Sequence, residues 1–399
     1  MGDTFGMPWN TATTMSLRLE FVTLAQQENA NIAELCRRFG ISRSKGYKWL
    51  ERFREGGVAA LEDRSRRPHR SPGRTPEAVR QQLLELRAAH PAWGPRKLRR
   101  RLEDLGVSGL PAHSTVGSLL RREGCIEGPA SAQHQAYVRF ERPRPNELWQ
   151  MDFKGHVALS RGGRCHPLTI LDDHARYLLA LRACARENDA TVRPHLQEIF
   201  ERYGLPENLL CDNAPPWSGC GGEWTALAIW LVRLGIRVLH GRPYHPQTQG
   251  KEERFHRTLK AEVLSRTDLH DLDHSQRAFD QWRPIYNHQR PHEALGLATP
   301  ATRYHPSARA FPRNLPPIEY SPGDIVRMAK TKGEVTWRGR TYFLGQGFAR
   351  EPIALRATAT DALYEVFFCQ QRLGWIDLQD PPAKSVHHYL PLHKNRLRH

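Results

Sequence analysis

Three acidic contexts carry the chemistry of this chain: Leu148-Trp-Gln-Met-Asp152-Phe153, Leu210-Cys-Asp212-Asn213, and Gly250-Lys-Glu-Glu253-Arg, which runs on to Lys260. The first two set an aspartate within or at the end of an apolar strand, where a lone charge is costly to bury. The third sets Glu252 and Glu253 on a helix crowded with Lys and Arg. Adjacent helical residues point about 100° apart, so only one of the pair can face a common site. Carboxylates drawn together repel unless a divalent cation sits between them. Hard cations such as Mg²⁺ take carboxylate and phosphate oxygens together, and a metal pair can clamp both sides of a phosphoryl displacement.

The elements that must position these groups read as an α/β layer. Strands are expected over 148–153, 166–172 and 177–183, a helix over 189–203, and a strand over 207–211. A helix over 223–235, a short strand over 236–239 and a long helix from 247 complete the layer. Alternation along the first strand puts Trp149, Met151 and Phe153 on one face and Asp152, with Gln150 and Lys154, on the other. Asp212 falls at the carboxyl end of its strand, where ligands collect in open α/β sheets. Asp172 and Asp173 lie between two strand patterns and read as turn residues. A helix over 274–288 carries Phe279, Trp282 and Tyr286 as packing residues.

The formal charge is +17, and 49 of the 59 basic residues are Arg. Such an excess suits a polyanion, because guanidinium forks match phosphate geometry and counterion release drives binding. Ile32, Leu35, Cys36 and Phe39 make one apolar helix face, Gly40 a turn, and Ser42 an N-cap. Tyr47, Leu50 and Phe53 are expected to face the core of the next helix. Ser44, Lys45 and Lys48 then face outward, as in a helix-turn-helix over 14–60. The run 61–74, Arg-rich and poor in apolar residues, reads as a basic linker. A second helical unit over 75–126 shows Val79, Leu83 and Leu86, then a break at Trp93-Gly94-Pro95, then Leu98, Leu102 and Leu105. Ser114 opens a third helix with Val116, Leu119 and Leu120; Lys97, Arg99, Arg100, Arg121 and Arg122 give this unit a basic surface. Residues 127–146 form a second linker.

Seven cysteines without a Cys-x-x-Cys pair argue for reduced thiols in a cytosolic protein, and their spacing fits no common zinc module. No stretch approaches membrane-span length, and the N-terminus lacks a signal-peptide pattern.

Taken in order, these features resemble the DDE transposases of bacterial insertion sequences with a retroviral-type integrase catalytic core. The resemblance covers about Met15 to Ser307. It rests on Asp152 in the Trp-x-Met-Asp strand, Asp212-Asn213 after a strand, and the Gly250-Lys-x-Glu253-Arg helix. A further mark is Trp282…Tyr286-Asn287…Arg290-Pro291-His292…Leu295-Gly296…Thr299-Pro300. It implies a ribonuclease H-like core over 147–307 and two helix-turn-helix units ahead of it. It implies a catalytic and metal-binding triad of Asp152, Asp212 and Glu253 holding two Mg²⁺ ions, with Mn²⁺ able to substitute. The family pattern selects Glu253 over Glu252, which is then expected to be solvated or paired with an Arg. Lys251, Arg257 and Lys260 on the same helix become DNA contacts.

The implied activity is metal-dependent 3′-end cleavage at the terminal inverted repeats of an element and strand transfer into target DNA. The implied partners are double-stranded DNA and further copies of the chain in a synaptic complex, without membrane or small-molecule cofactor. The implied location is bacterial cytoplasm, with the nucleoid. Ala214 stands where relatives usually carry Gly, and the gap from Asp212 to Glu253 is slightly long. A catalytically silent DNA-binding regulator and a ribonuclease H-like nuclease or resolvase are the competing readings; the complete triad and the paired N-terminal units favour the transposase.

From about 317 onward short strands punctuated by Gly and Asp suggest a small β-barrel over 317–380. Lys330, Lys332, Arg338 and Arg340 give it a basic edge that suits DNA.

Overall fold

A computed structural model describes residues 13–64, 74–126, 141–212, 216–217, 224–240, 250–379 and 388–389. Asn213, Ala214 and Cys220 lie outside these residues. The chain divides into two compact units, the first ending at Arg74 and the second beginning at Thr75.

The first unit holds three helices, α1 (Thr14–Ala25), α2 (Ile32–Arg38) and α3 (Arg43–Gly56). Asn31 and Ser42 cap α2 and α3 by accepting main-chain N–H groups, Ser42 from Lys45 at 3.3 Å. Phe21, Val22, Cys36, Leu50 and Leu61 form the core. Tyr47 is not part of it. The residue that faces α1 and α2 is Gly46, where an added Cβ would lie 2.5 Å from Cys36 Sγ and 3.0 Å from Phe21. Close approach of the helices thus rotates Tyr47 outward, and it is 58% exposed.

The second unit begins with α4 (Glu77–Ala89), α5 (Pro95–Asp104) and α6 (His113–Arg122), closed around Leu83, Trp93, Leu98, Leu102, Val116 and Leu120. Leu105 follows α5 and is exposed rather than packed. Ile285, from the catalytic layer, packs against this cluster.

The central sheet comprises β1 (Leu148–Phe153), β2 (Val157–Ala158), β3 (Arg164–Asp172), β4 (Leu178–Cys184), β5 (Asn208–Cys211) and β6 (Arg237–His240). β1 pairs antiparallel with β3 and parallel with β5, β5 parallel with β6, and β3 antiparallel with β4 and with β2. Across the sheet the order β4-β3-β1-β5-β6 is that of a ribonuclease H-like fold. One face, with Trp149, Met151 and Ile170, is covered by α7 (Asp189–Tyr203) and α8 (Ala226–Arg233). The other, with Leu171, Leu178 and Leu181, is covered by α9 (Gly250–Leu259) and α10 (Leu272–Pro284). Trp149 and Met151 share a face as alternation requires.

Among the described residues the C-terminal strands do not close into a barrel. β7 (Ile325–Met328), β10 (Pro352–Ala357), β11 (Leu363–Phe368) and β12 (Gln371–Asp377) make one open antiparallel sheet. β8 (Glu334–Trp337), β9 (Arg340–Phe343) and β13 (His388–Tyr389) make a second, mixed sheet, with β8 antiparallel and β13 parallel to β9. Ile353, Leu355, Val366, Phe368, Val335 and Tyr342 join the same hydrophobic cluster as Ile229 and Trp230 of α8. Gly347 allows the joint: a Cβ there would sit 2.5 Å from Ile229 Cδ1. An apolar face buried against a neighbouring layer has no need of closure. Among the described residues no helix is long and apolar enough to cross a membrane.

Candidate active site

Asp152 and Asp212 are placed by strand register. β1 and β5 run parallel with Gln150 opposite Leu210, so each aspartate lies two residues further along its own strand. The two carboxylates are therefore neighbours at the same end of the sheet. Burial, first, and then the charge of Asp212 push the Asp152 carboxyl up to about 7. Asp152 keeps 24% of its side chain exposed, so the pair opens to solvent. His240 Nδ1 lies 2.9 Å from the main-chain oxygen of Asp212 and ties β6 to that end.

The third acidic context enters on α9, and here the structure departs from the expectation. Glu252 is not solvated and, among the described residues, pairs with no Arg; it is 1% exposed and turned toward β1 and β3. Its Oε2 lies 3.1 Å from Thr169 Oγ1, which is also 3.0 Å from the Asp152 main-chain oxygen and 3.0 Å from His256 Nε2. One hydroxyl has one proton and two lone pairs, so it cannot donate to all three. Burial holds Glu252 well above the usual carboxylate range and brings the His256 imidazole down to about 4. The hydroxyl's one proton serves the Asp152 carbonyl and the Glu252 carboxylate as alternatives, and His256 Nε2 meets the same oxygen. Glu252 Oε1 is buried without a partner.

Glu253 is exposed. The helix wheel locates it relative to the cleft. His256 Nδ1 lies 3.9 Å from Asp152 Oδ2, and Glu252 and Glu253 fall about 40° and 60° to either side of His256. Glu252 occupies the buried flank and Glu253 the open one. Among the described residues no three acidic, His or Cys side chains already converge as a metal cluster.

The cationic residues divide. Arg257 and Lys260 are exposed along α9, as are Arg121 and Arg122 on α6 and Ser44, Lys45 and Lys48 on α3. Lys251 is turned inward: its Nζ pairs with Asp173, whose carboxylate also accepts Gln150 Nε2 at 2.7 Å and Arg142 N at 2.8 Å. Burial brings the Lys251 ammonium down to about 8. Lys97 is likewise turned inward, among Arg290, Glu262 and Glu293, and burial lowers it to about 8. Asp172 accepts Asn146 N and Ala175 N, both at 2.7 Å, so the Asp172-Asp173 pair is spent on the β3–β4 turn. Arg290 is 7% exposed and bonds Glu262 at 2.8 Å, while Trp282 Nε1 donates to the same carboxylate at 3.2 Å. Sequence reasoning missed Thr169 and the inward side of Glu252. A Thr in a buried strand reads as packing, and two adjacent glutamates are alike until the helix is docked.

Family models match the chain in five places. A helix-turn-helix domain covers residues 17–69 and a homeodomain-like domain 45–120. Integrase core domains cover 142–246 and 234–300, and the C-terminal domain of the IS481 family transposases covers 324–384. An insertion element IS407 protein of Burkholderia multivorans is 25% identical over 69% of this chain and 92% of its own length. An insertion element IS476 protein of Xanthomonas euvesicatoria is 25% identical over 56% of this chain and 64% of its own. Among solved structures, the simian T-cell lymphotropic virus intasome matches 73% of this chain and 97% of its own at 16% identity and a TM-score of 0.36. The BIV integrase catalytic core domain matches 39% and 92% at 23% identity and a TM-score of 0.31.

Proposed function

The chain is a transposase of the bacterial insertion-sequence type with an integrase catalytic core, and on that premise we propose how its residues divide the work. Asp152, Asp212 and Glu253 hold divalent metal, two Mg²⁺ ions or Mn²⁺ in their place, and cut and join DNA at the element's terminal inverted repeats. The observation that carries this reading is the pair of aspartates side by side on adjacent parallel strands, one of them pushed up to about 7. That donor set is all oxygen, as hard cations require, and a cation relieves its repulsion. When bound, the metal supplies Lewis-acid stabilisation of the phosphate and lowers the pKa of water.

The remaining roles belong to the chain. The exposed Arg257 and Lys260 bind phosphates beside the cleft. Thr169, Glu252 and His256 hold α9 to β1 so that the carboxylates keep their spacing. Water attacks phosphorus in line and the element's 3′-oxygen leaves; that freed hydroxyl then attacks target phosphorus and displaces a 3′-oxygen there. No covalent enzyme intermediate is involved. The two N-terminal helical units read the ends, further copies of the chain bring two ends together, and the basic edge of the C-terminal sheets binds DNA without sequence preference. The reading units span 14–60 and 75–126, the catalytic core 147–307 and the C-terminal sheets 317–380, and the location is the bacterial cytoplasm with the nucleoid.

The test offers labelled duplexes carrying the inverted repeats that flank the gene, with Mg²⁺ or Mn²⁺ and a target plasmid. Asp212→Asn and Glu253→Gln should lose nicking and joining while still binding the ends. Glu252→Gln, which preserves the hydrogen bond to Thr169, should keep joining within a fewfold. A dead Glu252→Gln beside an active Glu253→Gln would move the third ligand to Glu252.

A further inference from the structure

Helix α3 presents an exposed face that the packing of the first unit dictates. Gly46 and Leu50 are buried inward, Gly46 so tightly that no side chain fits against Cys36. Ser44, Tyr47, Lys48 and Glu51, at spacings of three and four, therefore share the opposite side, and all four are exposed. Lys45 and Arg43 stand beside them, also exposed.

Two members of this face are not explained by attraction to phosphate. Tyr47 holds a largely apolar ring in water, 58% exposed and the most exposed aromatic among the described residues. Glu51 would be repelled by a backbone of phosphates. Both fit the floor of a DNA major groove instead. There a thymine offers a methyl group to an aromatic ring, and a cytosine or adenine offers an amino group to a carboxylate. The first two turns of a second helix-turn-helix helix are the part that reaches base edges. Ser44, Tyr47 and Lys48 lie in those two turns of α3.

We propose that Tyr47 is a specificity-determining residue whose ring packs on the 5-methyl group of a thymine in the element's end, with Glu51 accepting from a neighbouring base amine. This rests on the reading of the first unit as a sequence-specific DNA binder, and it adds which bases that unit discriminates and by which side chains.

The full-length protein would be used to select preferred duplexes from a random library. Each thymine of the selected duplex would then be replaced singly by deoxyuridine, which removes only the methyl. At one position the wild type should lose about fourfold in affinity, the worth of one buried methyl. Tyr47→Phe should keep that sensitivity. Tyr47→Ala should bind thymine and uracil duplexes equally, with an unchanged salt dependence, because no phosphate contact is lost. Being exposed, the position tolerates both changes without loss of fold. Equal methyl sensitivity in Tyr47→Ala and wild type would overturn the assignment while leaving sequence-specific binding intact. Failure of the wild type to select any sequence would overturn both the inference and the reading beneath it.

Discussion

Replacing Asp152 by Asn should make the metal-free protein more stable while abolishing its activity. The carboxyl sits near 7 in the fold because of burial and then Asp212, against an ordinary value of 3.8. Its ionisation is thus disfavoured by folding, and stability falls as pH rises between those two values and levels off above the upper one. A separation of about three units corresponds to about 4 kcal/mol at about pH 8. Partial solvent access and relaxation of the pair reduce this, and a gain of about 2 kcal/mol for Asp152→Asn is expected. At about pH 5 the linkage leaves less than half of that difference.

Calorimetry in chelator, following the transition of the larger unit, should place the variant about 4–8 °C above wild type at the higher pH. The gap should narrow at the lower pH. Adding Mg²⁺ should raise the wild type by mass action and leave the variant nearly unmoved. A variant no more stable than wild type at about pH 8 without metal would refute the claim that the aspartates are held together against their own repulsion.

Two further outcomes follow from packing. Lys251→Ala leaves Asp173, fully buried, without its cation, and should destabilise the catalytic unit by about 3 kcal/mol in denaturant titrations; Asp173→Asn in the same background should restore part of that loss. Gly46→Ala sets a methyl 2.5 Å from Cys36 Sγ and should cost the first unit about 1–3 kcal/mol, and Cys36→Ala should relieve it; an additive double variant would mean that the helices shift to make room.

The parts of the site that could be read from sequence are those set by short-range periodicity. Strand alternation is enough to put Asp152 opposite Trp149 and Met151, and an apolar run ending in Asp212 is enough to put that group at a strand's end. Helix α7, Asp189–Tyr203, has the span its pattern announced, because Asn188 caps it and Gly204 ends it with a positive φ. What sequence could not supply is docking. Whether Glu252 or Glu253 turns inward depends on how α9 is rolled against the sheet, where Phe255 and Leu259 pack with Leu171 and Leu178 and Thr169 meets Glu252, all far away in the chain. The same holds for Tyr47 and Gly46, where a small residue outcompetes an aromatic for the core because two helices approach closely. It holds too for the C-terminal strands, which look like a barrel only as long as α8 is not there to cover them.

Charge makes a sharper distinction than burial does. Three acidic groups of the catalytic layer are deeply buried with evident structural tasks, and each has compensation close by. Asp173 has Lys251, Glu262 has Arg290, and Asp172 has two main-chain N–H groups. Asp152 is treated differently. Among the described residues its only ion-pair neighbour is His256, which burial brings down to about 4, and its carboxyl is pushed up by burial and then by Asp212 against the weaker opposing pull of the Phe153 main-chain N–H and Lys154. A carboxyl that burial and Asp212 together push up leaves room for charge from outside, which a divalent ion can provide. Glu252 is sealed from solvent, burial holds its carboxyl well above the usual range, and it positions the helix through Thr169. Glu253, on the open flank of the same turn, is exposed and so bears no such burial cost.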